Sequence, residues 1–90
     1  MRTAAMSYRV EFSKAADRVF CKLSKSVQLQ LQADINQLAQ EPRPAGCKKL
    51  VGATNKWRVR SGNYRIIYEI HDAVLLVLIV DVGHRKDIYN

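Results

Sequence analysis

Three arginines, Arg58, Arg60 and Arg65, are the side chains in this sequence best suited to do chemistry together. Lys56-Trp57-Arg58-Val59-Arg60 alternates cationic and apolar residues, so a strand here carries Lys56, Arg58 and Arg60 on one side and Trp57 and Val59 on the other. Ser61-Gly62-Asn63 supplies a three-residue turn, and Arg65 stands at the start of the run that follows. Guanidinium groups from two adjoining strands can then converge on one open sheet face. Each presents a planar fork of donors that matches two phosphate oxygens, and several around one phosphodiester would stabilise the added charge of a pentavalent transition state. The plainer alternative is that Arg58 and Arg60 are outward-facing strand residues that discourage edge pairing.

A second group lies near the C-terminus, where His84, Arg85 and Tyr89 follow Gly83. An imidazole exchanges protons near neutral pH, so His84 is a candidate general acid or base; a lone surface histidine is the bland reading. Tyr89 can stack on a base or hydrogen-bond a phosphate, or simply anchor the tail. The sequence has no metal-ligand cluster, no glycine-rich phosphate loop and no recognisable Ser-His-Asp spacing, so an enzyme built from these residues is expected to work without a cofactor.

The charge distribution points the same way. The formal net charge is +7, with 15 Lys and Arg against 8 Asp and Glu. Residues 43–65 contain Arg43, Lys48, Lys49, Lys56, Arg58, Arg60 and Arg65 and no acid, so this segment accounts for the whole excess. A well-solvated surface explains basic residues in general, but their concentration in one acid-free stretch favours a polyanionic partner, with Lys48, Lys49 and Lys56 among the candidate contacts, RNA-binding residues if that partner is the RNA implied by the resemblance described below. At 90 residues and 48% apolar side chains the chain holds one domain with one modest core, and a shallow surface site is expected rather than a deep pocket. Cys21 and Cys47 form no C-x-x-C pair, so reduced thiols in a cytoplasmic protein are expected. The start has no signal-peptide pattern and the longest apolar run, Ala73–Val80, is too short to span a membrane. Residues 7–90 read as the domain and residues 1–6 as an N-terminal extension, with Met6 an alternative start to Met1.

The elements that must position these groups follow from periodicity. Tyr8–Phe12 alternates as a strand. Ser13 can cap a short helix carrying Ala16, Val19, Phe20 and Leu23 on one stripe, and Ser24 a second with Val27, Leu31, Ile35 and Leu38 inward, making an antiparallel helical hairpin. Glu41-Pro42-Arg43-Pro44-Ala45-Gly46 ends the second helix, and a loop precedes the Lys56 strand. Tyr64–Ile70 is a strand with Tyr64, Ile66, Tyr68 and Ile70 on one face; His71-Asp72 is a turn, and Val74–Val80 a central strand covered on both faces. The order β-α-α-β-β-β predicts an α+β fold, an antiparallel sheet with the helical hairpin packed on one face.

Five runs in register, Arg9-Val10-Glu11-Phe12-Ser13, Glu41-Pro42-Arg43-Pro44 through Lys48-Lys49-Leu50, Trp57-Arg58-Val59-Arg60, Gly62-Asn63-Tyr64-Arg65-Ile66-Ile67-Tyr68-Glu69 and Val82-Gly83-His84-Arg85 to Tyr89, resemble the RelE family of the RelE/ParE toxin superfamily. The resemblance covers residues 7–90. It implies a microbial-RNase-like α+β domain that acts as a toxin of a type II toxin–antitoxin system. The implied activity is a metal-independent, ribosome-dependent mRNA endonuclease that cuts in the A site, where 2′-hydroxyl attack leaves a 2′,3′-cyclic phosphate. It implies as partners a cognate antitoxin, the ribosome and mRNA, in a toxin–antitoxin hetero-oligomer that meets operator DNA through the antitoxin, with no membrane involved. Carried over by residue, the family's strand cations fall on Arg58 and Arg60, its central arginine on Arg65, its tail arginine on Arg85 and its terminal tyrosine on Tyr89. Well-studied members have lysines on the strand, and arginine is a poor general base, so the proton would fall to His84 or Tyr89. The alternatives are a ParE-like toxin that inhibits DNA gyrase by protein binding, or a degenerate, non-catalytic binding module.

Overall fold

The alternating N-terminal run becomes strand β1, Arg9–Phe12, in a computed structural model that describes residues 7–52 and 54–84. Val10 and Phe12 pack inward while Arg9 and Glu11 stay exposed. The Ser13 side chain accepts a hydrogen bond from the Ala16 amide at 3.1 Å and starts helix α1, Lys14–Cys21. Ser24 repeats the device with the Val27 amide at 3.4 Å and starts α2, Lys25–Leu38. The amide of Gln28 donates to the carbonyls of Phe20 (3.0 Å) and Leu23 (3.1 Å), satisfying groups that the end of α1 leaves over and fastening the two helices together.

The chain returns through Pro42, whose carbonyl accepts the buried Tyr68 hydroxyl at 2.7 Å. Four strands follow: β2, Lys48–Lys49; β3, Lys56–Ser61; β4, Tyr64–His71; and β5, Leu76–His84. The sheet order is β1-β5-β4-β3-β2. The core lies between the helices and one sheet face, with Ala16, Leu31, Ile35 and Leu38 against Ile66, Tyr68, Ile70, Val77, Ile79 and Val82. This is the α+β arrangement expected from the sequence, with three refinements.

The sheet is mixed rather than wholly antiparallel. The pairs β2–β3, β3–β4 and β4–β5 are antiparallel, but β1 lies parallel to β5. Tight turns fix the first three, whereas β1 reaches its neighbour only after the helices and three other strands, so no turn sets its direction. Strand β2 falls where the sequence predicts a loop, because two lysines carry no apolar alternation. The β4–β5 connection is a 3₁₀ turn, Asp72–Val74, so β5 starts at Leu76 and runs on to His84; Leu76 and Leu78 on its outer face are only half-buried, not covered as a doubly packed strand would be.

A bulge in β5 matters most for the site. Tyr68 stands opposite Ile79 and Ile67 opposite Asp81, so Val80 is skipped. Before the bulge Val77 and Ile79 face the helices; after it Val82, 2% exposed, and His84 take that side. Asp81 and Gly83 are correspondingly turned to the open face.

Candidate phosphate-binding face

Strand register assembles the cations on the sheet face away from the helices. Lys48 of β2 stands opposite Arg58 of β3, Arg58 opposite Ile67 of β4, and Ile67 opposite Asp81 of β5. In the next row Arg60 is opposite Arg65, and Arg65 opposite Gly83. On the other side Lys56 is opposite Glu69. The predicted convergence of Arg58, Arg60 and Arg65 on one face is therefore what the register produces. Two like charges directly opposite on neighbouring strands destabilise a sheet. Here one of them, Arg65, is also only 4% exposed, and a guanidinium keeps its charge when buried. An anion placed between such groups relieves the repulsion.

The turn bearing this pair is held from behind by α2. Ser61, 2% exposed, donates its hydroxyl proton to Asp34 Oδ2 at 2.5 Å, and Gln30 Nε2 donates to the Ser61 carbonyl at 2.9 Å. Ser61 pairs with Tyr64, so the loop is the two residues Gly62-Asn63 rather than three. Gly62 has φ +60°, and a Cβ there would lie 2.5 Å from Gln30 Nε2; positive φ at the first loop position alone is the pattern of a II′ turn, which favours glycine.

Other predicted residues lie elsewhere. His84 is opposite Tyr64 on the helix-side face, its ring 5.4 Å from the Tyr64 ring at 71°; it does not join the arginine rows. Lys49 also turns to the helix side, with Nζ 6.0 Å from the Trp57 ring centre, and Arg43 covers the same ring at 5.1 Å. Arg43 Nη2 is in turn 2.9 Å from Asp72 Oδ2, and the Tyr8 hydroxyl donates to Asp72 Oδ1 at 2.5 Å. Hydrogen bonds from Arg43, then from Tyr8, hold the Asp72 carboxyl below the usual carboxylate range. The Tyr8 hydroxyl is raised, first by its bond to Asp72. Burial, more than any neighbour, pushes the Tyr68 phenol well up. Arg85 and Tyr89 lie outside the described residues, as do residues 1–6.

Among the described residues no group of three or more His, Cys, Asp or Glu side chains is placed to hold a metal ion, and no helix is long and apolar enough to cross a membrane. The arrangement is a sheet face on which exposed Arg60 and half-buried Arg58 can grip a phosphate by bidentate contacts, while buried Arg65 adds positive charge beneath them. The sequence reading missed Asp81 as a member of this face, because its side was decided by a bulge within an apolar run that does not alternate.

The fold has known counterparts. A family model described as the ParE toxin of the type II toxin–antitoxin system parDE matches residues 7–89. The mRNA interferase toxin RelE of Escherichia coli K12 is 30% identical over 83 residues, covering 90% of this chain and 86% of that one. Toxin RelG of Mycobacterium tuberculosis is 32% identical over 86 residues, with 94% and 99% covered. The crystal structure of the RelBE2 toxin–antitoxin complex of Mycobacterium tuberculosis superimposes with a TM-score of 0.81 at 28% identity, covering 96% of this chain and all of that one. A helical hairpin on a five-stranded mixed sheet is thus the architecture of a toxin from a type II toxin–antitoxin system. The chain belongs to the RelE/ParE toxin superfamily and is RelE-like.

Proposed function

We propose that this protein is a ribosome-dependent mRNA endonuclease that arrests translation by cutting the codon in the A site. One observation carries the reading: Arg58, Arg60 and Arg65 share the sheet face away from the helices, with Arg60 and Arg65 directly opposite despite their like charge. Similarity to a protein named an mRNA interferase supports it. The ribose 2′-hydroxyl attacks the adjacent phosphorus, the bond to the 5′-oxygen breaks, and a 2′,3′-cyclic phosphate and a 5′-hydroxyl result. Since the nucleophile belongs to the RNA, the protein's task is to hold the phosphate and to stabilise its extra charge, which falls to Arg58, Arg60 and Arg65 with Arg85. Lys48 and Lys56, on the same face, hold the RNA backbone on either side; Lys49 and Tyr89 contact the strand beyond it. An open face suits a substrate splayed and positioned by the ribosome rather than by a deep pocket.

The partner that silences this activity is a cognate antitoxin, whose acidic extended segment covers the basic face. Attraction to the +7 charge speeds that encounter, and apolar anchors set its lifetime. The resulting complex meets operator DNA through the antitoxin, in the cytoplasm. Growth after induction tests the reading. A soluble Arg60→Ala/Arg65→Ala variant that still co-purifies with the antitoxin should no longer arrest growth; full arrest by that variant would contradict the role of these arginines. The match to a ParE toxin model favours one second reading, gyrase inhibition by protein binding. That reading predicts cleaved gyrase–DNA complexes with intact mRNA.

A further inference from the structure

Among the described residues, the arginines leave one chemical role of the endonuclease reading unfilled, the acceptor of the 2′-hydroxyl proton, for which Tyr89 lies outside those residues. Guanidinium groups cannot fill it, because arginine stays protonated in proteins. His84 is on the opposite face, edge-on to Tyr64. Two carboxylates of β4 and β5 reach the open face. Glu69 lies opposite Lys56, two rows from the Arg60–Arg65 pair, and its Oε1 is 2.8 Å from His71 Nε2. Asp81 lies in the row of Arg58, next to the row of Arg60 and Arg65.

The β5 bulge is what puts Asp81 there. Continuing the alternation of Val77 and Ile79 would bury Asp81 under the helices and send Val82 and His84 to the open face. Skipping Val80 exchanges them: Val82 becomes a core residue at 2% exposure, and Asp81 is exposed among the cations. A bulge that re-aims one side chain is a common device beside active sites. Two residues on along the same face stands Gly83, about 6.6 Å away along the strand. It has no side chain and lies opposite Arg65, so a phosphate resting over it meets the arginine from one side and Asp81 from along the strand. Asp81 Oδ1 accepts the Val82 amide at 2.9 Å, and Oδ2 has no hydrogen-bond partner among the described residues.

We propose that Asp81 is the general base of the cleavage reaction. Its carboxylate takes the proton from the 2′-hydroxyl as the 2′-oxygen bonds to phosphorus; the 5′-oxygen leaves and takes a proton from solvent, and Asp81 returns its own to solvent. The assignment rests on the endonuclease reading.

The test uses the full chain on ribosomes programmed with a defined A-site codon, under single turnover. Asp81→Asn keeps the acceptor for the Val82 amide and removes only the basic oxygen. Its cleavage rate should fall about 100-fold or more, while affinity for ribosomes carrying a 2′-deoxy A-site codon stays within threefold. Asp81→Glu, which keeps a carboxylate, should retain at least tenfold more rate than D81N. D81N cleaving within threefold of wild type would overturn the assignment and leave the endonuclease reading standing. So would equal rates for D81N and D81E, or a loss of rate matched by a loss of affinity. Absence of cleavage by the wild-type protein would overturn the reading and the assignment together.

Discussion

At the scale of single residues, the arginine rows make demands that differ from those of ordinary strand positions. Arg65→Lys keeps the charge but loses the planar fork, so it should lower the single-turnover rate by roughly 10–100-fold while leaving the fold intact; kinetics alongside thermal melting checks this. His84 gives the opposite expectation. Its ring packs edge-on against Tyr64, a contact worth about 0.5–1.5 kcal/mol. His84→Ala should therefore lower the melting temperature by several degrees and leave the pH profile of cleavage unchanged; a lost limb in that profile would return His84 to the chemistry. The two residues also show what was legible. Arg58 and Arg60 could be assigned to one face because Trp57 and Val59 between them mark the other, and period two does the rest. His84 and Asp81 could not, because the slip at Val80 lies in a run of Leu, Val and Ile that reads the same in either parity.

At the scale of elements, the β3–β4 hairpin depends on its contact with α2. Gly62→Ala meets both the positive φ and the Gln30 amide. Gln30 can swing aside only by giving up its bond to the Ser61 carbonyl, so the substitution should cost about 1–2 kcal/mol by urea denaturation and loosen the arginine pair, with a fall in cleavage at unchanged antitoxin binding. A second tie joins the start of β1, the Pro42 loop and the 3₁₀ turn through Tyr8, Asp72 and Arg43. The Asp72 carboxyl is depressed in the folded state, so its stabilising effect is present above the ordinary aspartate range, near pH 3.9, and is lost as the pH falls through the lower folded value. The urea midpoints of wild type and Asp72→Asn should differ at neutral pH and converge below about pH 3.9. Helices and hairpin were legible because Ser13, Ser24 and Gly62 are local signals. Strand β2 and the parallel pairing of β1 were not, since both are settled by partners far along the chain.

At the scale of the whole molecule, the acid-free segment 43–65 divides between two surfaces. Arg58, Arg60, Arg65, Lys48 and Lys56 go to the open face, while Arg43 and Lys49 flank Trp57 at the sheet edge. The charge sum alone cannot show that division; strand register does. A basic face of this kind makes association with an acidic antitoxin or with RNA depend on ionic strength: stopped-flow association rates should fall by roughly 10-fold or more from low to high salt, with dissociation rates changing less. The central claim, that this face cuts mRNA only when the ribosome presents it, is tested most directly by primer extension on a reporter mRNA incubated with the purified protein, with and without programmed ribosomes. The account predicts cuts only in the presence of ribosomes, at the A-site codon, with 2′,3′-cyclic phosphate ends. Intact mRNA in both reactions, from folded protein, would contradict it.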